Sequence, residues 1–132
     1  MRVIVAGSRS IPDLLCLAAL DILIRERRIS PDEIVSGGAR GPDTAGEMWA
    51  EENGVKVTRF LPDWTKYGRR AGILRNEQMA AYAAEEPGGL LIAFWDGESF
   101  GTKHMIAAAR KHGLRRYVRK PQTRPPPAGP YR

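Results

Sequence analysis

Two glycine-rich segments hold the residues of this sequence best suited to chemistry. Ser36-Gly37-Gly38-Ala39-Arg40-Gly41-Pro42-Asp43 follows the apolar run Glu33-Ile34-Val35, and Asp96-Gly97-Glu98-Ser99-Phe100-Gly101-Thr102 follows the apolar run Leu90 to Trp95. Glycine weakens any element it interrupts, so a cluster at the end of a strand calls for a tight turn or for a backbone that a ligand approaches closely. Both segments run into helical patterns, and the unpaired N–H groups and dipole of a helix N-terminus favour an anion, phosphate above all. Each has a basic residue beside it, Arg40 in one and Lys103 after the other. Neither is a phosphate loop ending in Gly-Lys-Ser/Thr, nor a Gly-x-Gly-x-x-Gly dinucleotide turn, so simple ATPase and dehydrogenase readings lose support.

The elements that must position these segments alternate along the chain. Arg2 to Ala6 is a short β-branched run closed by Gly7-Ser8-Arg9, and a helical pattern runs from Pro12 to about Arg27. The runs at Glu33–Gly37, Val55–Phe60 and Leu90–Trp95 read as strands, and Arg115–Arg119 as a last one. Helices are expected from about Gly41 to Asn53, stopped by Gly54, from Ile73 to Glu86 and from Lys103 to His112, with Gly113 past its end, and Leu61–Gly72 is a polar, aromatic loop. Strand-helix alternation argues for an α/β, Rossmann-like, three-layer domain: a mostly parallel sheet of about five strands with helices on both faces. In such a sheet the strand C-termini share one edge, and ligands bind in crevices there. All the unusual loops fall on that edge.

Composition bounds the rest. The 132 residues suit one domain, 42% hydrophobic and 27% charged. The apolar stretch Leu14–Ile24 is interrupted by Asp21 and is too short to span a bilayer; no membrane association or signal peptide is expected, and the cytoplasm is the default compartment. The single cysteine, Cys16, excludes an internal disulfide and reads as a buried thiol. His104 and His112 lie eight residues apart and read as surface side chains, so no metal and no resident cofactor is expected. The net charge of +6 belongs to residues 115–132, which hold six basic residues and no acid, while residues 1–114 sum to zero. A body of residues 1–119 is followed by a proline-rich basic tail, 120–132, that is too polar to order itself. Apolar side chains point nearly all round the Leu14–Ile24 helix, which suggests cover by a sheet on one side and by a second copy of the chain on the other.

Together, Gly7-Ser8-Arg9, Ser36–Asp43, the string Trp64-x-Lys66-Tyr67-Gly68-x-x-Ala71-Gly72-x-x-Arg75-Asn76-x-x-Met79 and Phe94–Thr102 resemble the YspA-like branch of the SLOG superfamily, which also includes the DNA-processing protein DprA and the LONELY GUY enzymes. The resemblance covers about residues 1–118 and implies a Rossmann-like fold that binds a nucleotide or nucleotide-derived ligand, often in a homodimer. It implies that Arg75 and Met79 match a segment whose arginine lies near ribose and phosphate. Gly97, Gly101 and Thr102 match a phosphate cradle, and Met105 stands where the LONELY GUY enzymes carry a catalytic glutamate. A methionine can neither stabilise nor attack an oxocarbenium-like centre. Binding is therefore better supported than catalysis.

The expected ligand-binding set is Gly7, Ser8, Arg9, Gly37, Gly38, Ala39, Arg40, Gly41, Asp43, Trp64, Lys66, Tyr67, Arg75, Asn76, Asp96, Gly97, Gly101, Thr102 and Lys103, with Trp64 and Tyr67 able to stack on a base. Arg75, Asp96 and Glu98 are the catalytic candidates, and Asp43 is a further carboxylate on the same edge that could also cap the helix after it. The leading expectation is a sensor or processing domain for a nucleoside phosphate or an ADP-ribose-like ligand. The alternatives are a phosphoribohydrolase-like enzyme, or DprA-like nucleic-acid binding through the basic tail.

Overall fold

The structure is a computed structural model that describes residues 1–121; the expectation for the proline-rich tail falls almost entirely outside the described residues. Five parallel strands, β1 (Arg2–Gly7), β2 (Glu33–Ser36), β3 (Lys56–Arg59), β4 (Leu90–Phe94) and β5 (Arg115–Arg119), form one sheet in the order β3-β2-β1-β4-β5. The Rossmann-like α/β fold read from the sequence is the fold observed.

Every residue of β4 is buried, as the unbroken apolar run Leu-Leu-Ile-Ala-Phe requires of a strand covered on both faces. Its register with β1 sets Val5 opposite Ile92 and Gly7 opposite Phe94. Because successive side chains alternate, the sheet has two cores. Val3, Val5, Ile34, Leu90, Ile92 and Phe94 pack beneath α1 (Asp13–Glu26) and α2 (Pro42–Glu52). Ile4, Ala6, Val35, Leu91 and Ala93 pack beneath α4 (Ala71–Ala84) and α5 (Phe100–Lys111).

Four boundaries differ from the sequence reading. The segment expected as a loop contains a single helical turn, α3 (Trp64–Tyr67), and a 3₁₀ turn at Gly68–Arg70. Asp63 nucleates the first by accepting from the Lys66 N–H at 3.0 Å, a capping contact hidden among aromatic and basic residues. Helix α4 begins at Ala71, two residues before the expected start at Ile73. Helix α5 begins at Phe100, three residues earlier than expected, because Phe100-Gly101-Thr102 completes its first turn. Finally, Gly41 rather than Asp43 caps α2, and Pro42 occupies the first helical position.

The face of α1 away from the sheet is uncovered, with Leu14 and Ile22 exposed, while Cys16, Leu20, Leu23 and Ile24 are core. Burial pushes the Cys16 thiol up to about 12, so it stays an inert thiol at neutral pH. Among the described residues no helix is long and apolar enough to cross a membrane.

Candidate functional site

The chain runs outward from β1 to β2 and β3, then returns to β4 and β5 on the other side of β1. The C-terminal ends of β1 and β4 are therefore the point where strand order reverses, and the loops leaving them part there. A cleft of about 490 Å³ lies at this place, within the range of small-molecule sites. It is lined by the end of β1 and the loop after it (Ala6, Gly7, Arg9, Ser10), the loop after β2 and the start of α2 (Ala39, Asp43), α3, the 3₁₀ turn and α4 (Trp64, Arg69, Arg75), and the start of α5 (Ser99 to Thr102, with Met105).

Two hydrogen-bonded frames hold the walls. In the first, the buried Ser8 links two loops: its N–H donates to the Phe94 carbonyl at 2.9 Å and its Oγ accepts from the Asp96 N–H at 3.0 Å. Ser8 Oγ also lies 3.4 Å from Thr102 Oγ1. Asp96 Oδ1 accepts from the Glu98 and Ser99 N–H groups, both at 2.8 Å, and Oδ2 accepts from Ser10 Oγ at 2.8 Å. The Ser99 and Glu98 amides and the Ser10 hydroxyl hold the Asp96 carboxyl down at about 2, so it is a fixed anion that shapes the loop and holds no proton to give. Asp96→Ala should speed amide hydrogen exchange at Glu98 and Ser99 at least tenfold, since each loses its acceptor; unchanged exchange there would remove Asp96 from this role.

The second frame surrounds Arg75. Its Nη1 donates to the Gly37 carbonyl at 2.7 Å and its Nε to Asn76 Oδ1 at 3.1 Å. Burial, together with the charge of Arg9, lowers the Arg75 pKa, while Asp43 opposes that shift. The approach explains one glycine: a Cβ at Gly37 would lie 2.4 Å from Arg75 Nη1 and 2.9 Å from Asp43 Oδ2. Asp43, almost wholly buried, turns its carboxylate back into the glycine loop and accepts from the Ala39 N–H at 3.1 Å. Burial raises the Asp43 carboxyl to about 6, although the Ala39 and Gly37 amides and Arg75 all favour its charged form.

Asn76, also buried, completes the frame. Since Oδ1 accepts from Arg75, Nδ2 is the donor, to the Gly101 carbonyl at 3.2 Å and to His104 Nδ1 at 3.2 Å. That arrangement leaves the proton of a neutral His104 ring on Nε2, which faces Glu77 at 3.9 Å. The two histidines are half-buried between α4 and α5, His112 Nε2 lying 3.2 Å from Glu77. The surface placement expected for them is corrected by this shared carboxylate. Among the described residues, no group of three or more His, Cys, Asp or Glu side chains could hold a metal ion.

The structure thus gathers ten of the expected residues around one cleft: Gly7, Arg9, Ala39, Asp43, Trp64, Arg75, Asn76, Asp96, Gly101 and Thr102. Ser8 and Gly37 lie behind its wall as supports. Gly38, Arg40, Gly41, Lys66, Tyr67, Gly97, Glu98 and Lys103 are outside its lining. The Gly38 N–H is taken by Ser36 Oγ at 3.1 Å, so the Gly38 and Ala39 amides of the first glycine loop are engaged internally by Ser36 and Asp43. The start of α5 differs. Ser99 makes no side-chain cap, Gly101 is exposed, and a Cβ there would meet nothing within 4 Å.

Ser10, Arg69, Ile73, Ser99, Phe100 and His104 also line the cleft and were missed. Phe100 and Trp64 are both more than half exposed there. An apolar residue left in water on a loop edge is the signal that could have flagged Phe100.

The comparisons with known proteins agree with the fold. The Gene 61 protein of Mycobacterium phage D29 is 37% identical over 120 residues, spanning 86% of this chain and 91% of that one. The solved structure of DNA processing protein A (DprA) from Streptococcus pneumoniae superposes with a TM-score of 0.65 at 20% identity, covering 89% of this chain. That likeness concerns the fold, and this chain spans about half (49%) of the DprA chain it matches. The family model of YspA, cpYpsA-related SLOG proteins matches residues 1–67, from β1 through α3. With the phage relative aligned over nearly its whole length, the chain belongs to the YspA, cpYpsA-related SLOG family.

Proposed function

We propose that the cleft binds a nucleotide or nucleotide-derived ligand, a nucleoside phosphate or an ADP-ribose-like molecule, and that the chain serves as a sensor or processing domain for it. The observation that carries the reading is the charge of the cleft wall. Arg9 and Arg69 have no carboxylate within salt-bridge distance among the described residues, and they line the same cleft as the uncapped start of α5. Two free guanidiniums and a row of unpaired amides suit a phosphate. Nη2 of Arg75 is the third donor, since Nε and Nη1 already have protein acceptors. Trp64 and Phe100 at the mouth supply the apolar surface on which a base stacks.

Binding is favoured over hydrolysis. Met105 leaves no carboxylate at its position, and the two carboxylates that line the cleft, Asp43 and Asp96, are both engaged by main-chain amides. Calorimetric titration with AMP and with ADP-ribose tests the reading. Arg75→Ala should weaken binding ten- to a hundredfold, the worth of about 2 kcal/mol for a charge-assisted contact. Equal affinity in the variant, or no heat with either ligand, would count against it.

A further inference from the structure

We propose that the C-terminal end of α1 and the outer strand β5 form a second binding surface, distinct from the cleft, for single-stranded nucleic acid. Three guanidiniums converge on one half-buried ring: Arg27, Arg115 and Arg119 stand 5.5, 5.9 and 5.5 Å from the centroid of Tyr117. All three are exposed, as is Arg28 next to Arg27, while Arg116, alternating with Arg115 and Tyr117, lies on the other face of the strand. None of Arg27, Arg28, Arg115 and Arg119 lies within salt-bridge distance of a carboxylate among the described residues, whereas Arg2, Arg25, Lys56, Arg59 and Lys111 each do.

Basic side chains on an edge strand often serve only to block pairing with another sheet. The opposite edge of this same sheet shows how such charges look when that is their whole role. On β3, Lys56 is paired with Glu33 at 3.9 Å and Arg59 with Glu47. Neutralised cations protect that edge. On β5 the arginines repel one another around a single ring with no compensating acid, which is tolerable where a polyanion completes the site. The sequence continues with Arg124 and Arg132 and no further acid.

The form of the surface selects the polyanion. It is built on a strand about 17 Å long at ~3.3 Å per residue and on the end of α1 rather than along the side of a helix that could lie in a duplex groove. Guanidiniums flanking an aromatic ring are the combination that holds a single strand, by phosphate contact and base stacking without sequence readout.

The test is fluorescence anisotropy of a labelled oligothymidylate of about 16 nucleotides with the full chain, over a salt series starting near ~50 mM. The wild type should bind with an affinity that falls as salt rises. The triple change Arg27→Ala, Arg115→Ala, Arg119→Ala should weaken binding tenfold or more. It should also flatten the slope of log K against log salt by about two, at ~0.7 per lost phosphate contact. Replacing the same three by lysine should keep the slope, and Arg75→Ala, in the cleft, should bind the oligonucleotide like the wild type. Four outcomes would overturn the proposal: no binding by the wild type at the lowest salt, full binding by the triple alanine variant, loss as complete in the lysine variant as in the alanine one, or loss in Arg75→Ala instead. Binding to phosphatidylserine vesicles with none to the oligonucleotide would overturn it too, in favour of a membrane surface.

Discussion

Gly7→Ala is expected to lower stability by about 3–4 kcal/mol, measured by urea unfolding. Gly7 ends β1 opposite Phe94, and an alanine Cβ there would lie 2.1 Å from the Phe94 carbonyl oxygen and 2.7 Å from Pro42 Cγ. Neither neighbour can retreat. The carbonyl accepts from the Ser8 N–H within the sheet, and Pro42 is fixed at the first position of α2. Relief requires β1 and β4 to part, which is also where the cleft opens. Gly101→Ala is the informative contrast. A side chain there meets nothing within 4 Å, and the site is in the first turn of α5, so stability should rise by roughly 0.5 kcal/mol. The same change covers amides assigned here to the ligand, and nucleotide affinity should fall at least fivefold. Gly7 serves packing, and Gly101 serves access.

The second large effect concerns Asp43. Its carboxyl titrates near 6 in the folded chain against an ordinary 3.8. Between these values the folded state holds the proton and the unfolded state has released it. The contribution to stability is therefore fully present below about pH 4 and is lost as pH rises through 6. Roughly two pKa units at ~1.36 kcal/mol each gives about 3 kcal/mol across that window. Asp43→Asn cannot titrate, so relative to wild type the variant should gain about that much between pH 4 and pH 7. The measurement is the difference between two unfolding series, because groups such as Asp96, held low by its amide donors, give both proteins a slope of the opposite sign. Parallel curves for the two proteins would mean that Asp43 does not sense its burial as described.

Much of this architecture was legible in the sequence because its causes are local. Strand-helix alternation fixed the fold class, and an unbroken apolar run marked β4 as doubly covered. The start of α5 was misjudged by three residues, since Gly101 reads as a loop residue while packing around Thr102 completes the turn. The site was legible only in part, for a different reason. Composition marks Ser36–Asp43 as able to receive an anion, but whether its amides are free depends on where one side chain turns. Asp43 turns inward, and with Ser36 it occupies that loop. The same long-range geometry brings Arg75 to the Gly37 carbonyl across 38 residues of chain and His104 to Asn76 across 28. No spacing rule announces such contacts. Arg69 was missed because nothing in its immediate sequence separates a cleft-facing side chain from a solvated one.

The account rests on the start of α5 receiving the anionic group of a nucleotide at the junction of β1 and β4. Titrating ¹⁵N-labelled protein with ADP-ribose and following amide chemical shifts tests this most directly. The Phe100, Gly101 and Thr102 amides and the Arg75 Nε–H should move furthest and saturate together, while those of Leu14–Ile22 stay in place. If these four remain still at millimolar ligand, or if the largest shifts fall on α1, the cleft is not the nucleotide site.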